Sequence, residues 1–340
     1  MTMPAPLTTR LGTVTFRPFD PKADFPAAAD LISVAHGHDD VDWRPSAEVM
    51  AHEWGDLPGF DASTDVLIAE IDGAAVGLVN VDWRARSDKV VHQIELWVRP
   101  SLRRQGIGGG LLTWAEEHAR AAVAEGTGGS TELSHELGAW GDSDVSGHTE
   151  LAARRGYAVA RYFFEMRRPI EAPIPDAPLP AGLEVRPVTP EQYRAIWAAD
   201  VEAFRDHFEA AVRTEADFDR WFTAPGMDTT LWQVAWAGDE VAGSVLTSLD
   251  PEENERIGLK IAWLNHVSVR RPWRKQGVAS GLIASTLRLL RHRDAEVAAL
   301  GVDAENPTGA LGVYEAMGFT RHKTGLMYRK PLTVPDAAAG

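Results

Sequence analysis

Two stretches of this 340-residue chain are nearly the same phrase: Val98 to Gly110 reads VRPSLRRQGIGGG, and Val269 to Gly281 reads VRRPWRKQGVASG. The match continues on both sides. VTFRPFDP from Val14 and LEVRPVTP from Leu183 open two similar runs, and Gly156-Tyr157 and Gly318-Phe319 stand near their ends. Matched residues lie 169 apart at Arg17 and Arg186, 171 apart at Gly106 and Gly277, and 162 apart at Gly156 and Gly318. That period is far longer than any solenoid repeat, so the chain is one domain-sized pattern written twice. A count of roughly one domain per 150 residues agrees. Between the copies lies IEAPIPDAPLPAG, residues 170–182, whose four prolines favour an extended, semi-rigid connection. The expected division is a first domain over 1–170, a proline-rich linker over 171–182, a second domain over 183–333, and a disordered tail over 334–340.

Within each copy the hydrophobic periodicity switches repeatedly between the strand and helix patterns. In the second, LWQVAWAG and EVAGSVLTSL flank a Gly-Asp turn as a hairpin, IAWLNHVSV runs into the basic phrase, and VASGLIASTLRLLRHR follows as a helix. EVAALGVDA, GALGVYEAMG and KTGLMYRKPL then read as strand, helix and strand. The order predicts an α/β (α+β) domain built on a mixed sheet with flanking helices, made twice.

The formal net charge is −15, a field that repels nucleic acid and anionic membranes, so neither is expected as a partner. No apolar run approaches the roughly 20 residues of a membrane span, and the first residues lack a signal-peptide pattern. A soluble, cytoplasmic protein is expected. With no cysteine, thiolate nucleophiles and cysteine metal sites are excluded. The run His36-Gly37-His38-Asp39-Asp40 reads as loop residues and not as a metal site, because no third ligand cluster accompanies it. The 12 tryptophans are read mainly as core.

Against the acidic background, four cations fall within Arg270–Lys275 and three within Arg99–Arg104. Each cluster precedes a glycine that opens a helix, where unpaired N–H groups and the positive end of the dipole attract an anion. Small residues let phosphate oxygens approach the backbone, and Arg274 and Lys275 add charge-assisted bonds. The Gly-Lys-Ser/Thr ending of an ATP-binding loop is missing, and Leu111 stands where a dinucleotide fingerprint requires a third small residue.

Arg274-Lys275-Gln276-Gly277-Val278-Ala279 resembles the Arg/Gln-x-x-Gly-x-Gly/Ala signature of the GCN5-related N-acetyltransferases (GNAT), and Arg103-Arg104-Gln105-Gly106-Ile107-Gly108 resembles it independently. Downstream, Asn306 and Tyr314-Glu315-Ala316-Met317-Gly318-Phe319 look like the family's second hallmark, with the Asn-to-Tyr spacing one residue longer than the commonest form. The resemblance covers the chain as two tandem copies. Having the better-kept motifs in the second copy is similar to mycothiol synthases and other double acetyltransferases.

The resemblance implies an acetyl-CoA-dependent N-acetyltransferase in which a primary amine, on a small molecule or a peptide, attacks the thioester directly. Acetyl-CoA is the cosubstrate and no metal takes part. The implied cofactor-binding residues are Val267, Val269, Arg274, Lys275, Gln276, Gly277, Val278, Ala279, Ser280 and Asn306. In the first copy they are Val98, Arg103, Arg104, Gln105, Gly106, Gly108 and Gly109. Tyr314 is the expected general acid and His266, on the strand entering the turn, the candidate base, against the alternative of an ordinary core or surface histidine. Glu202, Asp206 and Asp250 could attract a cationic acceptor. Ala152 stands opposite Tyr314 in the first copy, so catalysis is expected in the second copy alone. A non-catalytic acyl-CoA-binding or sensing protein is the alternative. The acceptor's identity and the oligomeric state stay open.

Overall fold

The computed structural model describes residues 3–333 other than Asp56, Ser87, Ala211 and Pro307, together with all side chains of those residues except that of Ser146. The tail 334–340 lies outside the described residues. The described residues form two compact units, 3–160 with 326–333, and 161–325.

Unit 1 runs β1 (Leu7–Thr9), β2 (Gly12–Pro18), α1 (Phe25–His38), α2 (Ala47–Gly55), α3 (Ala62–Asp65), β3 (Val66–Ile71), β4 (Ala74–Ala85), β5 (Lys89–Val98), α4 (Ile107–Ala124), β6 (Ser134–Asp142) and α5 (Ser146–Arg154), and enters β7 (Ala158–Pro169). The strands are neighbours in chain order, antiparallel except for the parallel β5–β6 pair. In β3 and β4 the near-continuous run of apolar residues marks strands covered on both faces. One face packs Leu67, Val79 and Ile94 against Leu111, Leu112 and Ala115 of α4. The other packs Ile68 and Leu78 against Leu31 and Ile32 of α1 and Met50 and Trp54 of α2.

Unit 2 takes up β7 at residue 161 and continues with β8 (Glu184–Val185), α6 (Tyr193–Phe204), α7 (Glu215–Phe222), β9 (Gln233–Ala237), β10 (Glu240–Ser248), α8 (Pro251–Ile257), β11 (Ile261–Val269), α9 (Val278–Arg291), β12 (Val297–Asp303), α10 (Ala310–Ala316) and the start of β13 (Thr320–Pro331). Its strands lie in the order β7-β12-β11-β10-β9-β8, and only β11–β12 is parallel. Leu282, Ile283, Leu287 and Leu290 of α9 bury one face of the sheet, and Ile196 and Ala199 of α6 help bury the other. Sequence sets the helix starts locally. Thr214 and Asp217 form a reciprocal capping box on α7, and Asp250 accepts the Glu252 and Glu253 N–H groups ahead of Pro251 at the start of α8.

The sequence repeat and the compact units divide the chain differently by one strand each. Phe163 to Pro169 of β7 pair with Asp303 to Val297 of β12, inside unit 2. Leu326, Tyr328 and Leu332 belong to the core of unit 1, where the Leu332 N–H donates to the His135 carbonyl at 2.9 Å. The proline-rich stretch is also held. Buried Arg168 donates to the carbonyls of Pro169, Ala172 and Pro173, and Leu179 approaches Gly281 so closely that a Cβ there would stand 3.1 Å from its Cα.

Candidate active site

The two basic phrases fold alike. Each strand, β5 or β11, leads through a short 3-10 turn to an N-cap glycine with positive φ, 93° at Gly106 and 86° at Gly277. Two residues earlier, Arg104 (φ 66°) and Lys275 (φ 61°) occupy the same left-handed region. A Cβ on Gly277 would meet nothing within 4 Å, so its backbone conformation rather than crowding calls for glycine. Ile107, Gly108 and Gly109 open α4; Val278, Ala279 and Ser280 open α9. Neither helix has a side-chain cap or an acidic residue in its first turn, which leaves the first N–H groups turned toward any incoming anion.

Arg103 and Arg274, both expected to reach a phosphate, have their guanidinium groups engaged by protein. Arg274 donates from Nε to the Val269 carbonyl (2.9 Å) and through its terminal nitrogens to Asp206 (2.7 Å) and the Ala203 carbonyl (3.1 Å). Arg103 likewise bonds the Val98 carbonyl (3.2 Å) and grips both oxygens of Asp39 (2.6 and 2.7 Å). Each arginine therefore ties the turn to the strand before it and to the region after the first helix. Gln276 donates to the Pro272 carbonyl (2.8 Å), while Gln105 accepts the Arg10 N–H (2.9 Å). Arg104 pairs with Glu150. Lys275 has no hydrogen bond or ion pair among the described residues, which makes it the open cation of the second turn.

The strands beside the turns separate. In unit 2, β11 stays paired with β12 only from Ile261 to Trp263. The β10–β11 register then shifts between Leu246–His266 and Thr247–Leu264, leaving Asn265 as the extra residue of a bulge. The Arg270 N–H donates to the Ala242 carbonyl at 3.0 Å, next to the Val269–Gly243 pair. Because backbone groups alternate along a strand, the Val267 and Val269 N–H groups point away from β10, on the side that β12 has left. In unit 1, β5 keeps an unbroken register with β4 from Val98 to Val90 and stays paired with β6 through Ile94.

The His266 ring lies beside this split. Its Nδ1 is 2.9 Å from Oδ2 of buried Asp200, a carboxylate on α6, so Asp200 holds that nitrogen as the N–H donor. Nε2 has no partner among the described residues, and the side chain is 26% exposed. Phe204 and Trp221 flank the ring. Asp200 was not singled out from sequence; the available signal was a lone carboxylate on the apolar face that carries Ile196 and Ala203. Glu202 bonds Arg270, Asp206 bonds Arg271 and Arg274, and Asp250 caps α8, so those three carboxylates are engaged elsewhere. Tyr314 is buried on α10 against Phe319, and burial pushes its pKa up to about 12, keeping the phenol protonated at neutral pH. The Asn306 side-chain oxygen accepts from Thr308 N (2.8 Å) and Oγ1 (2.6 Å), building the loop that enters α10.

In unit 1, Ala152 lies buried in the core on α5. His148 accepts the Asp142 N–H, and burial lowers its pKa. His36 takes the Trp97 indole N–H at 2.9 Å and contacts the Trp43 carbonyl. Eleven residues before Gly106 stands Glu95, in register with His266 before Gly277. Burial, and Asp82 beside it, push its carboxyl up to about 7.

A family model described as the acetyltransferase (GNAT) family matches residues 30–130 and 193–319. The mycothiol acetyltransferase of Salinispora arenicola is 31% identical over 318 residues, 91% of this chain and 95% of that protein. The same-named protein of Geodermatophilus obscurus is 31% identical over 272 residues, 78% and 82% of the two chains. Among solved structures, a GCN5-related N-acetyltransferase from Sphaerobacter thermophilus superposes with a TM-score of 0.70 at 26% identity, covering 96% of this chain and 98% of that one. A tandem GNAT protein from the clavulanic acid biosynthesis pathway shares the fold, with a TM-score of 0.66 at 18% identity over 95% and 100% of the chains.

Proposed function

The chain belongs to the GNAT family and is an N-acetyltransferase drawing on an acyl-CoA donor, and from that premise we propose that unit 2 transfers the acetyl group of acetyl-CoA to a primary amine. The pyrophosphate meets the first turn of α9 and Lys275, and the pantetheine arm pairs with the free edge of β11 at Val267 and Val269. An N–H on that edge stabilises the carbonyl oxygen as it gains charge.

A lysine-like amine with a pKa of about 10.4 is almost wholly protonated at pH 7, so deprotonation has to be assisted. His266 Nε2 takes the proton as the nitrogen attacks the thioester carbon. The carbon–sulfur bond then breaks as Tyr314 gives its phenolic proton to the departing sulfur, the second proton leaving the nitrogen restores the phenol, and an amide, free CoA and a protonated His266 are left. The observation that carries this reading is the Asp200–His266 pair, which leaves one histidine nitrogen open beside the bulge and the split in the sheet. The acceptor is a small-molecule amine, and the relatives' name makes a mycothiol precursor the first candidate to assay.

The test is steady-state CoA release by Tyr314→Phe and His266→Gln. Each should lower kcat by an order of magnitude or more while the KM for acetyl-CoA stays within about twofold. Unchanged kcat in either variant removes that residue from the chemistry.

A further inference from the structure

The functional reading leaves Glu95 in unit 1 unused. It is the first residue past the last β5–β6 pair, Ile94–Ala139, so it sits where those strands part. Its direct cross-strand neighbour is Asn80 of β4, and Asp82, two residues along β4, shares that face. Glu53 approaches from α2. Arg84 holds Asp82 at 3.1 Å, but no cation is bonded to Glu95 among the described residues.

Asn80 is only 3% exposed, and its side-chain oxygen has no hydrogen-bond partner among the described residues. A buried acceptor left unmade costs free energy, and beside carboxylates it calls for a donor carrying positive charge. Among the described residues no three acidic or histidine groups are placed to hold a metal ion. An ammonium ion, with three N–H donors and no acceptor, matches the site. The anion-binding turn of Arg104 and Gly106 stands eleven residues on, with the same backbone geometry as its counterpart in unit 2.

We propose that unit 1 holds a second amine site, in which a small primary amine binds as its ammonium ion against Glu95 and the Asn80 side-chain oxygen, with Asp82 beside them. This goes beyond transfer in unit 2, because it gives an amine a place in the copy that lacks a counterpart of Tyr314. The high carboxyl pKa of Glu95 adds a pH dependence: with Asp82 and Glu53 facing it, Glu95 ionises only near neutrality and binds the cation more tightly at pH 8 than at pH 6.

The test is 19F NMR titration of 3-fluoropropylamine into the full-length protein saturated with CoA, in a His266→Gln/Tyr314→Phe background that suppresses turnover. Binding should be at least fivefold tighter at pH 8 than at pH 6, and Glu95→Gln should weaken it tenfold or more at pH 8. The neutral probe 3-fluoropropanol should not bind. Asp294→Asn, which breaks only an exposed ion pair with Lys260 in unit 2, should leave the amine affinity within twofold, and a cooperative melt of Glu95→Gln confirms that the variant is folded. No amine binding, or binding that Glu95→Gln leaves within twofold, overturns the proposal.

Discussion

Replacing Glu95 by glutamine should stabilise the protein, and only above the acid range. The carboxyl is raised from 4.5 to about 7 by burial and by Asp82. A folded-state pKa above the unfolded value means that the folded chain holds more protons between those two limits, so stability falls as pH rises through that window. At about 1.4 kcal/mol per unit, the whole interval corresponds to roughly 3 kcal/mol, of which about three-quarters falls between pH 5 and pH 8. Glu95 is partly exposed, and solvent screening trims the expected difference to about 2 kcal/mol. Glutamine keeps the shape and the Asn80 neighbour but carries no charge. Calorimetric melts of the full chain at pH 5 and pH 8 read the effect directly: for a unit of this size, about 2 kcal/mol moves Tm by about 4–8 °C. The variant's advantage over the parent should therefore be about 4–8 °C larger at pH 8 than at pH 5. An advantage that is equal at the two pH values, or larger at pH 5, would refute the assignment of a high carboxyl pKa to Glu95.

Three further outcomes follow from unit 2. Asp200→Asn should reduce kcat at least fivefold with little change in the KM for acetyl-CoA, and 15N NMR of the His266 ring should lose the single Nδ1–H tautomer; a purely structural aspartate would leave that spectrum intact in the folded variant. Gly277→Ala forces a side chain into φ 86° and should cost about 1–2 kcal/mol while raising the KM for acetyl-CoA severalfold; an unaltered KM would separate the turn from donor binding. Asp206→Asn releases Arg274 and Arg271 and should likewise raise the KM for acetyl-CoA more than it lowers kcat, measured in the same steady-state assay.

The repeated phrase was legible because its content is local. Glycine before a helix, a basic residue two positions earlier and an apolar strand leading in are consecutive in sequence, and both copies fold to the same dihedral signs at Arg104, Gly106, Lys275 and Gly277. The alternation of strand and helix patterns likewise gave the mixed sheets with their covering helices. What stayed hidden depends on contacts distant in sequence. Asp200 meets His266 across 66 residues, and nothing in YRAIWAADVEAF names its partner. Arg274 reads as a phosphate ligand until Asp206, 68 residues away, is seen to hold it. Glu95 looks like an ordinary strand carboxylate, and only its burial, with Asp82 and Glu53 close by, makes it a weak acid. Strand periodicity is equally silent about which sheet a strand joins, so the destinations of Phe163–Pro169 and Leu326–Leu332 could not be read from their own patterns.

Those two strands bear on the history of the duplicated gene. The earlier copy encodes Met166 and Arg168, which are buried with their strand in the unit that carries Tyr314, and the later copy encodes Leu326 and Tyr328, which help fill the other unit's core. Once that exchange was fixed, losing either copy would have stripped a strand from the survivor. Each copy, the one with alanine at position 152 included, supplies a strand without which the other unit's sheet and core are incomplete.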